Sequence, residues 1–461
     1  PLPHPRPRIR LPPHPHLPIQ LESQLRHSTT HTLPKGHLMT TLSNVKKAHE
    51  VFGISPNIHN DSYVDRGNLD TRMRRLLDRS QHIALKAPSK AGKSWLRKKA
   101  LDNPIEIQCR IGMTVDEIYT DALAALGIKL EITRTQNKSF SGHAEVEGEG
   151  GFKIFARVCA KLGATIGGEN TVTLQQLKQS VTNLNFIAEC LKESGRRLVV
   201  EDFHYLSKDQ RKLFAFEMKA LWELEVFVVV TGIWEETNYL LSLNHDLAGR
   251  IEEVSIRWKP EELKEILVSG GAALNVRFSV EVINEITRFS YNSAGILQAL
   301  TSRTLEAADI EKTQEHETII SDIELVRAAA KEQAMQSKSV YDDFAKKVTA
   351  GIRQRNNSTH IYAYTMEAIM QHSDAELAAG VSVHKIYELA HARQDRINLG
   401  NLRNILGKLE FIQADDDGRG LILQYSEDDD VVSVVDHQLL LYRHFRENPW
   451  PWDIVISEIE S

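Results

Sequence analysis

An eight-residue stretch, A-P-S-K-A-G-K-S at positions 87–94, contains the residue types that bind phosphate in proteins. In the pattern G-x-x-x-x-G-K-[S/T], glycine lets the backbone wrap around phosphates, the lysine reaches the β and γ phosphates, and the hydroxyl binds Mg²⁺. Gly92, Lys93 and Ser94 match the second half, whereas Ala87 replaces the first glycine, which a small residue with negative φ can do. We therefore predict a site for ATP phosphates with the members Ala87, Pro88, Ser89, Lys90, Ala91, Gly92, Lys93 and Ser94.

A second group of residues that could do chemistry lies in "RLVVEDFHYL", which places Glu201 and Asp202 at the end of an apolar run. A nucleotide triphosphatase with a phosphate loop needs one acid for the Mg²⁺ shell and another to activate water. Two acids after a strand also occur as a solvated turn. Because the phosphate loop lies at the expected separation upstream, the pattern favours the catalytic interpretation.

The elements around these residues alternate between strand and helix. "HIALKAP" predicts a strand, "SKAGKS" a loop and "WLRKKALDN" a helix; "IEIQCRI" and "VFVVVTGI" predict further strands. Thr114, with Glu117 three residues later, predicts the start of another helix. This alternation predicts an α/β domain with a parallel sheet over residues 39–258.

Two regions depart from that alternation. Residues 133–170 are rich in glycine, so we expect an inserted β-hairpin or a mobile loop that could serve as a contact surface, followed by a helix over 173–194. Residues 259–310 contain helical patterns alone and predict a helical lid, and 311–340 predicts a connecting helix.

The C-terminal part predicts three helices and two short strands around the turn D-D-D-G-R-G, which is a winged helix-turn-helix over 341–426. Its third helix, as the recognition helix, would offer DNA the side chains of Asn401, Arg403, Asn404 and Lys408. Residues 401–461, however, hold five Arg and Lys against thirteen Asp and Glu, which favours a protein partner over DNA. The acidic tail over 427–461 carries Trp450 and Trp452, which either dock a partner or pack back on the domain.

The order of A-P-S-K-A-G-K-S, "LVVEDFHYL", "VFVVVTGI", "LAGRIEEVSI" and the helical lid resembles AAA+ and STAND-type ATPases, near origin-recognition initiators and transposition-regulator ATPases. The resemblance covers residues of about 60 to 310. It implies that Glu201 and Ser94 hold Mg²⁺ and that Asp202 activates water. The order of the two acids is reversed relative to the family, and an Asp in the base position implies slow hydrolysis.

The same resemblance implies two further catalytic residues. Thr231 stands where the family keeps a sensor of the γ-phosphate, although a threonine can also simply cap a strand. Arg250 matches an arginine finger that acts on a neighbouring subunit, although it can also be an ordinary surface arginine. "YVDRG" at 63–67 resembles the box that packs on adenine, and no arginine stands beside Gly295 in the lid, where a second sensor is expected.

Composition limits the classes of protein that fit. The chain has 461 residues, a net charge of −6 and three scattered cysteines, so several domains without structural metal are expected. Residues 1–38 are basic and proline-rich and predict a disordered tail, such as upstream sequence translated ahead of a start at Met39; the alternative is a basic arm that touches nucleic acid. No apolar run suits a membrane span or a secretory signal, so we expect a cytoplasmic protein.

These observations predict a Mg²⁺-dependent ATPase whose nucleotide state controls self-assembly or a partner protein, as in bacterial signalling or defence. One alternative is a DNA-binding ATPase of the replication-initiator or transposition-regulator type. Another is a nucleotide-binding scaffold that never hydrolyses ATP. Salt-dependent duplex binding would identify the first alternative, and an absence of phosphate release would identify the second.

Overall fold

The computed structural model of the chain describes residues 45–134, 140–146, 148–162, 171–173, 184–234, 236–351, 360–413 and 421–461. The tail predicted over residues 1–38 lies outside these ranges. Across the described ranges, each helix is too short or too polar to cross a membrane.

The described residues form thirteen strands and twenty helices. The strands are β1 (His82–Lys86), β2 (Ile105–Gln108), β3 (Ile128–Arg134), β4 (Phe140–Val146), β5 (Thr171–Thr173), β6 (Leu198–Glu201), β7 (Val228–Gly232), β8 (Ile251–Ser255), β9 (Val276–Phe278), β10 (Thr318–Ile320), β11 (Val381–Ser382), β12 (Leu423–Ser426) and β13 (Val431–Val434). The helices are α1 (Ala48–Val51), α2 (Leu69–Leu77), α3 (Lys93–Ala100), α4 (Val115–Ala124), α5 (Gly148–Lys161), α6 (Leu184–Ser194), α7 (Lys208–Glu223), α8 (Tyr239–Leu243), α9 (Pro260–Ala273), α10 (Val280–Phe289), α11 (Ala294–Ala307), α12 (Ile323–Gln336), α13 (Lys338–Ala350), α14 (Ile361–Met370), α15 (Asp374–Ala379), α16 (Val383–Arg393), α17 (Leu399–Leu406), α18 (Leu409–Gln413), α19 (Gln438–Phe445) and α20 (Pro451–Glu460).

Five parallel strands form the central sheet in the order β2-β6-β7-β1-β8. Strands β1 and β7 are buried along their whole length, because helices cover both faces, and this explains their continuous apolar runs. The prediction of an α/β domain with a parallel sheet is confirmed. The parallel direction brings the ends of β1, β6 and β7 to one edge of the sheet, where ligands bind in such folds.

The glycine-rich segment after α4 is a small antiparallel sheet followed by a helix. Strand β3 pairs with β4, and β4 pairs with β5, so the predicted hairpin is present. The prediction of a loop is wrong for α5, which buries Phe155, Val158 and Cys159 at helical spacing. Glycine is needed there for close packing, because a Cβ on Gly151 would lie 2.8 Å from the Leu126 carbonyl oxygen. The helix predicted over 173–194 is shorter: Thr173 belongs to β5, residues 174–183 are outside the described ranges, and α6 follows.

The lid consists of α9, α10 and α11, which share one core with α12. Leu263, Leu297 and Val326 are fully buried in that core. The prediction of a single connecting helix over 311–340 is wrong, because β10 pairs with β9 and α12 packs against α10 and α11. Apolar residues such as Ile320 are therefore part of the lid rather than of a solvated linker.

The C-terminal module has the element order α14, β11, α16, α17, β12, β13, and its sheet has the order β11-β13-β12. This order of helices and strands agrees with the one predicted for a winged helix, and residues 361–461 are called the winged-helix module. The predicted position of the wing is wrong, because 411–413 belong to helix α18 and the hairpin joins β12 to β13. The Gln413 side chain connects α18 to β12, because its Oε1 accepts hydrogen bonds from the Ile422 and Leu423 amides at 3.0 and 2.7 Å. The D-D-D-G-R-G turn lies within 414–420, outside the described residues.

Residues 427–461, predicted as a tail, contain β13, α19 and α20 and are part of the folded module. Trp452 is fully buried, and its ring stacks on that of Trp450 with centroids 4.6 Å apart. Helix α20 packs against α14. The structure therefore shows the second of the two predicted alternatives, in which the tryptophans pack back on the domain.

Candidate nucleotide site

The loop between β1 and α3 has the backbone that phosphate binding needs. Lys90 and Gly92 have φ of 60° and 87°, so glycine is required at the second position of the pattern and not at the first. Ala87 is 2% exposed and packs in the core beneath the sheet with Leu85. The replacement of the first glycine by alanine is thus compatible with this loop.

Lys93 and Ser94 are the first two residues of α3, where free amides and the helix dipole favour an anion. The Lys93 ammonium group donates to the carbonyl oxygens of Ala87 and Pro88 at 3.4 and 3.1 Å, across the mouth of the loop. Ser94 is exposed and lines the adjoining cavity. The structure therefore brings together the residues predicted to bind phosphate and metal.

The acid pair lies at the end of β6, and each carboxylate has a partner. Glu201 accepts a hydrogen bond from the Arg97 Nε at 2.7 Å, while burial raises its pKa against the opposing effect of that guanidinium group. Asp202 has φ of 52° and accepts a hydrogen bond from Gln108 through Oδ2. Burial also raises the pKa of Asp202, and the positive charge of Lys93 opposes the shift. Asp202 is thus the acid that is electrostatically coupled to the phosphate loop.

Thr231 and Arg250 are not on the wall of this cavity. Thr231 is 2% exposed inside β7, opposite Leu85 of β1. Arg250 immediately precedes β8, at the amino edge of the sheet, and its guanidinium group lies 4.8 Å from the centroid of the Trp222 ring. It also donates to the Asp246 carbonyl oxygen at 2.5 Å. Arg250 cannot reach its own chain's phosphate loop from there, so any role as an arginine finger remains a prediction for a second subunit.

A cavity of about 670 Å³ joins the loop, the acid pair and the lid. Sequence reasoning did not assign individual roles to several residues on its wall, among them Arg66, His204 and Trp258. The Arg66 guanidinium group lies 4.2 Å from the Trp258 ring centroid, and its Nε and Nη2 have no hydrogen-bond partner among the described residues. A Cβ on Gly92 would lie 3.8 Å from both terminal nitrogens of Arg66. The segment predicted to pack on adenine thus reaches the phosphate loop itself.

The lid contacts the loop directly. The Gly295 amide at the start of α11 donates to the Lys90 carbonyl oxygen at 2.9 Å, and the Ser293 hydroxyl donates to the same oxygen at 3.3 Å. Trp258 donates from Nε1 to the Ala91 carbonyl oxygen at 2.9 Å. Arg303, the nearest lid arginine after Gly295 in the sequence, instead pairs with side chains of α12.

The winged-helix module contacts the same loop from the other side. The Ser89 amide donates to the Val435 carbonyl oxygen at 3.0 Å, and the Lys90 side chain donates to that of Gln438. Ile233, which follows β7, packs with Leu421 and Val435 in a small apolar cluster. One phosphate loop is therefore in contact with both the lid and the winged helix.

No protein-family model and no curated protein matches this sequence. Among solved structures, the Orc1 protein of Aeropyrum pernix in complex with DNA is 11% identical over 89% of this chain and 98% of that chain, with a TM-score of 0.37. A Walker-type ATPase of Pyrococcus abyssi is 15% identical over 85% and 99% of the two chains, with a TM-score of 0.48. A STAND protein with a tetratricopeptide repeat sensor from Pyrococcus horikoshii is 12% identical over 88% and 45%, with a TM-score of 0.34.

Proposed function

We propose that the chain is a Mg²⁺-dependent ATP-binding and ATP-hydrolysing switch of the AAA+/STAND kind. The observation that carries the proposal is that one phosphate loop is hydrogen-bonded to two modules. Ser89 and Lys90 bond to the winged helix, and the Lys90 carbonyl oxygen also accepts hydrogen bonds from the lid. A ligand that moves this loop changes its contacts with both modules. Nucleotide state would in this way control how the modules are arranged.

The residues present fit a nucleotide with its metal. The Lys93 ammonium group and the amides that begin α3 would bind the β and γ phosphates. Ser94 and Glu201 would hold Mg²⁺, which usually takes one or two protein oxygens together with phosphate oxygens and water. When bound, the metal would neutralise charge on the phosphate oxygens.

Asp202 would activate the attacking water by accepting its proton. Its Oδ2 atom is hydrogen-bonded to Gln108, so Oδ1 is the oxygen assigned to this step. A raised pKa increases the affinity of this carboxylate for a proton. Since Glu201 is also held by Arg97, both acids are restrained by neighbours, which fits the slow turnover expected of a switch.

The charged groups on the surface indicate which kinds of partner the protein would bind. Self-assembly would let Arg250 act on a neighbouring subunit, and the acidic winged helix suits a protein effector or regulator, as in a bacterial defence or signalling pathway. DNA binding is less well supported, because Arg403 of α17 makes a two-pronged ion pair with Asp430 at 3.0 and 2.6 Å. Duplex binding that weakens steeply with salt would favour the alternative of a DNA-loading ATPase.

The proposal is tested with three variants, Lys93→Ala, Glu201→Gln and Asp202→Asn, in assays of Mg²⁺-ATP affinity and single-turnover hydrolysis. Lys93→Ala should lose ATP binding while retaining the fold, because the point charge against the phosphates is gone. Asp202→Asn should keep ATP and Mg²⁺ bound but hydrolyse roughly two to four orders of magnitude more slowly. Glu201→Gln should weaken the Mg²⁺-dependent part of binding.

Two outcomes would change the assignment. If Asp202→Asn loses affinity and Glu201→Gln loses turnover alone, the roles of the two acids are inverted. If neither variant alters turnover, the site is a binding switch and the claim of hydrolysis fails. Unchanged ATP affinity in Lys93→Ala would remove the phosphate loop from the proposal altogether.

A further inference from the structure

His204 lies two residues after the acid pair, in the short helical turn Phe203–Tyr205, and lines the cavity beside the phosphate loop. Its side chain is largely enclosed, and the residue is 6% exposed. The ring nitrogen Nδ1 accepts the backbone N–H of Ile233 at 3.3 Å. A neutral imidazole has one acceptor and one donor nitrogen, so this contact assigns the proton to Nε2.

The imidazole of His204 is neutral in the folded protein. Burial lowers its pKa to about 3, and the positive charges of Lys93 and Arg211 act in the same direction. Nε2–H is therefore an uncharged donor across the physiological pH range. It is buried and has no hydrogen-bond partner among the described residues.

A buried N–H without an acceptor is unfavourable, so a molecule that fills the cavity is expected to supply one. The acceptor must also be stable beside a positive charge, because Lys93 is close enough to lower the His204 pKa. Phosphate oxygens meet both requirements, since they accept hydrogen bonds and carry negative charge. Asp202, the acid nearest to His204 in the sequence, is not the acceptor: it accepts its hydrogen bond from Gln108.

We propose that His204 donates from Nε2 to the terminal phosphate of a bound nucleoside triphosphate and thereby distinguishes triphosphate from diphosphate. The proposal rests on the function proposed above only in requiring a nucleotide in the cavity, and it does not require hydrolysis. His204 would do what was predicted for Thr231, which lies inside β7 away from the cavity wall.

The opposite side of the same ring points towards the winged helix. The Ile233 amide that binds Nδ1 belongs to a residue packed against Leu421 and Val435. The Val435 carbonyl oxygen in turn accepts the Ser89 amide of the phosphate loop. A shift of the His204 ring towards a phosphate would therefore strain its hydrogen bond with Ile233. It would thereby disturb the apolar cluster through which the winged helix packs against the α/β domain.

Two substitutions separate the two nitrogens of the ring. In His204→Asn, the side-chain oxygen can take the place of Nδ1 and keep the Ile233 hydrogen bond, but the donor to the cavity is lost. In His204→Gln, the longer amide can place an N–H near the position of Nε2. Each protein is first checked by thermal unfolding, and then titrated with a non-hydrolysable ATP analogue and with ADP, both with Mg²⁺. Trp95 and Trp258 line the cavity and provide a fluorescence signal for binding.

We expect the wild-type protein to prefer the triphosphate and His204→Asn to bind it about tenfold more weakly, which corresponds to about 1.4 kcal/mol. Affinity for ADP should stay within about twofold, and His204→Gln should recover most of the triphosphate preference. Equal losses for both nucleotides, or no loss for either, would show that His204 is a structural residue. If His204→Asn does not fold, loss of triphosphate preference in a folded His204→Gln would contradict the proposal.

The wild-type protein separates this inference from the function proposed above. If it binds neither nucleotide, both are overturned. If it binds normally and His204→Asn has an unchanged ratio of the two affinities, this inference alone is overturned.

Discussion

Arg97 holds the first acid of the pair in place. Its guanidinium group, 2% exposed, donates from Nε to Glu201 and from Nη1 to Glu106. Removal of one partner from a buried ion pair leaves the other charge desolvated and costs about 3–5 kcal/mol. We therefore expect Arg97→Gln to lower the free energy of unfolding by about that amount, measured by urea denaturation.

Lys98 on the same helix provides the matched control, because its side chain is exposed and donates to the Pro56 carbonyl oxygen. Lys98→Gln should change the free energy of unfolding by about 0.5 kcal/mol or less. If Arg97→Gln is no more harmful than Lys98→Gln, then the ion pair does not stabilise the fold, and Glu201 is more freely available to a metal than proposed.

The residues found from sequence are those whose role is fixed by their neighbours in the chain. Gly92, Lys93 and Ser94 act through a local loop and the first turn of a helix, so spacing alone identified them. Arg97 and His204 act through contacts with Glu201 and Ile233, 104 and 29 residues away in sequence. No local pattern marks such contacts, which explains why both residues were missed.

At the scale of elements, the start of α11 packs tightly against the phosphate loop. A Cβ on Gly295 would lie 2.6 Å from the Lys90 Cβ and 2.8 Å from its carbonyl oxygen. Gly295→Ala therefore forces the lid and loop apart, and overpacking of this kind costs about 1–3 kcal/mol. We expect a lower melting temperature and faster amide hydrogen exchange in the loop, measured by mass spectrometry.

Gly150 in α5 serves as the control, because a Cβ there would meet nothing within 4 Å. Gly150→Ala should be neutral or slightly stabilising, by up to about 1 kcal/mol, since alanine favours a helix. Equal exchange rates in the loop for Gly295→Ala and the wild type would mean that the lid does not restrain the loop.

The elements predicted correctly are those with one dominant periodicity. The apolar runs of β1, β6 and β7 and the capping pair Thr114 and Glu117 were clear in the sequence. Helix α5 was missed because its glycines suggested a loop, although Gly151 serves close packing. The wing was misplaced because Phe411 and Ile412 favour a strand and stand shortly before a turn signal, whereas they belong to helix α18.

At the scale of the whole molecule, the winged helix docks on the α/β domain through a contact crowded with carboxylates. Glu236, beyond the end of β7, is close to Asp428 and Asp429 of the wing turn, and also to Arg211 of α7 and Glu410 of α18. Burial, reinforced by the two aspartates, raises the pKa of Glu236 to about 7. The docked arrangement therefore favours a protonated Glu236.

A carboxyl group whose pKa is higher in the folded than in the unfolded state binds more protons when folded, so stability falls as pH rises through that interval. For Glu236 the interval runs from its ordinary value of 4.5 to about 7. We expect the melting temperature of Glu236→Gln to exceed that of the wild type by more at pH 8 than at pH 5, because most of the interval lies between these two values. Calorimetry at the two pH values measures the difference, and hydrogen exchange in β12 and β13 locates it.

Other groups also titrate between pH 5 and pH 8, so the informative quantity is the difference between variant and wild type at each pH. Glu306→Gln removes an exposed carboxylate of α11 and should give the same small difference at both values. If Glu236→Gln behaves like Glu306→Gln, the wing is not pressed against Glu236 in solution. The coupling between nucleotide site and winged helix must then run through the contacts of the phosphate loop and of Ile233 with that module. If the difference grows with pH as expected, protonation of one side chain tightens the contact through which ATP is proposed to act.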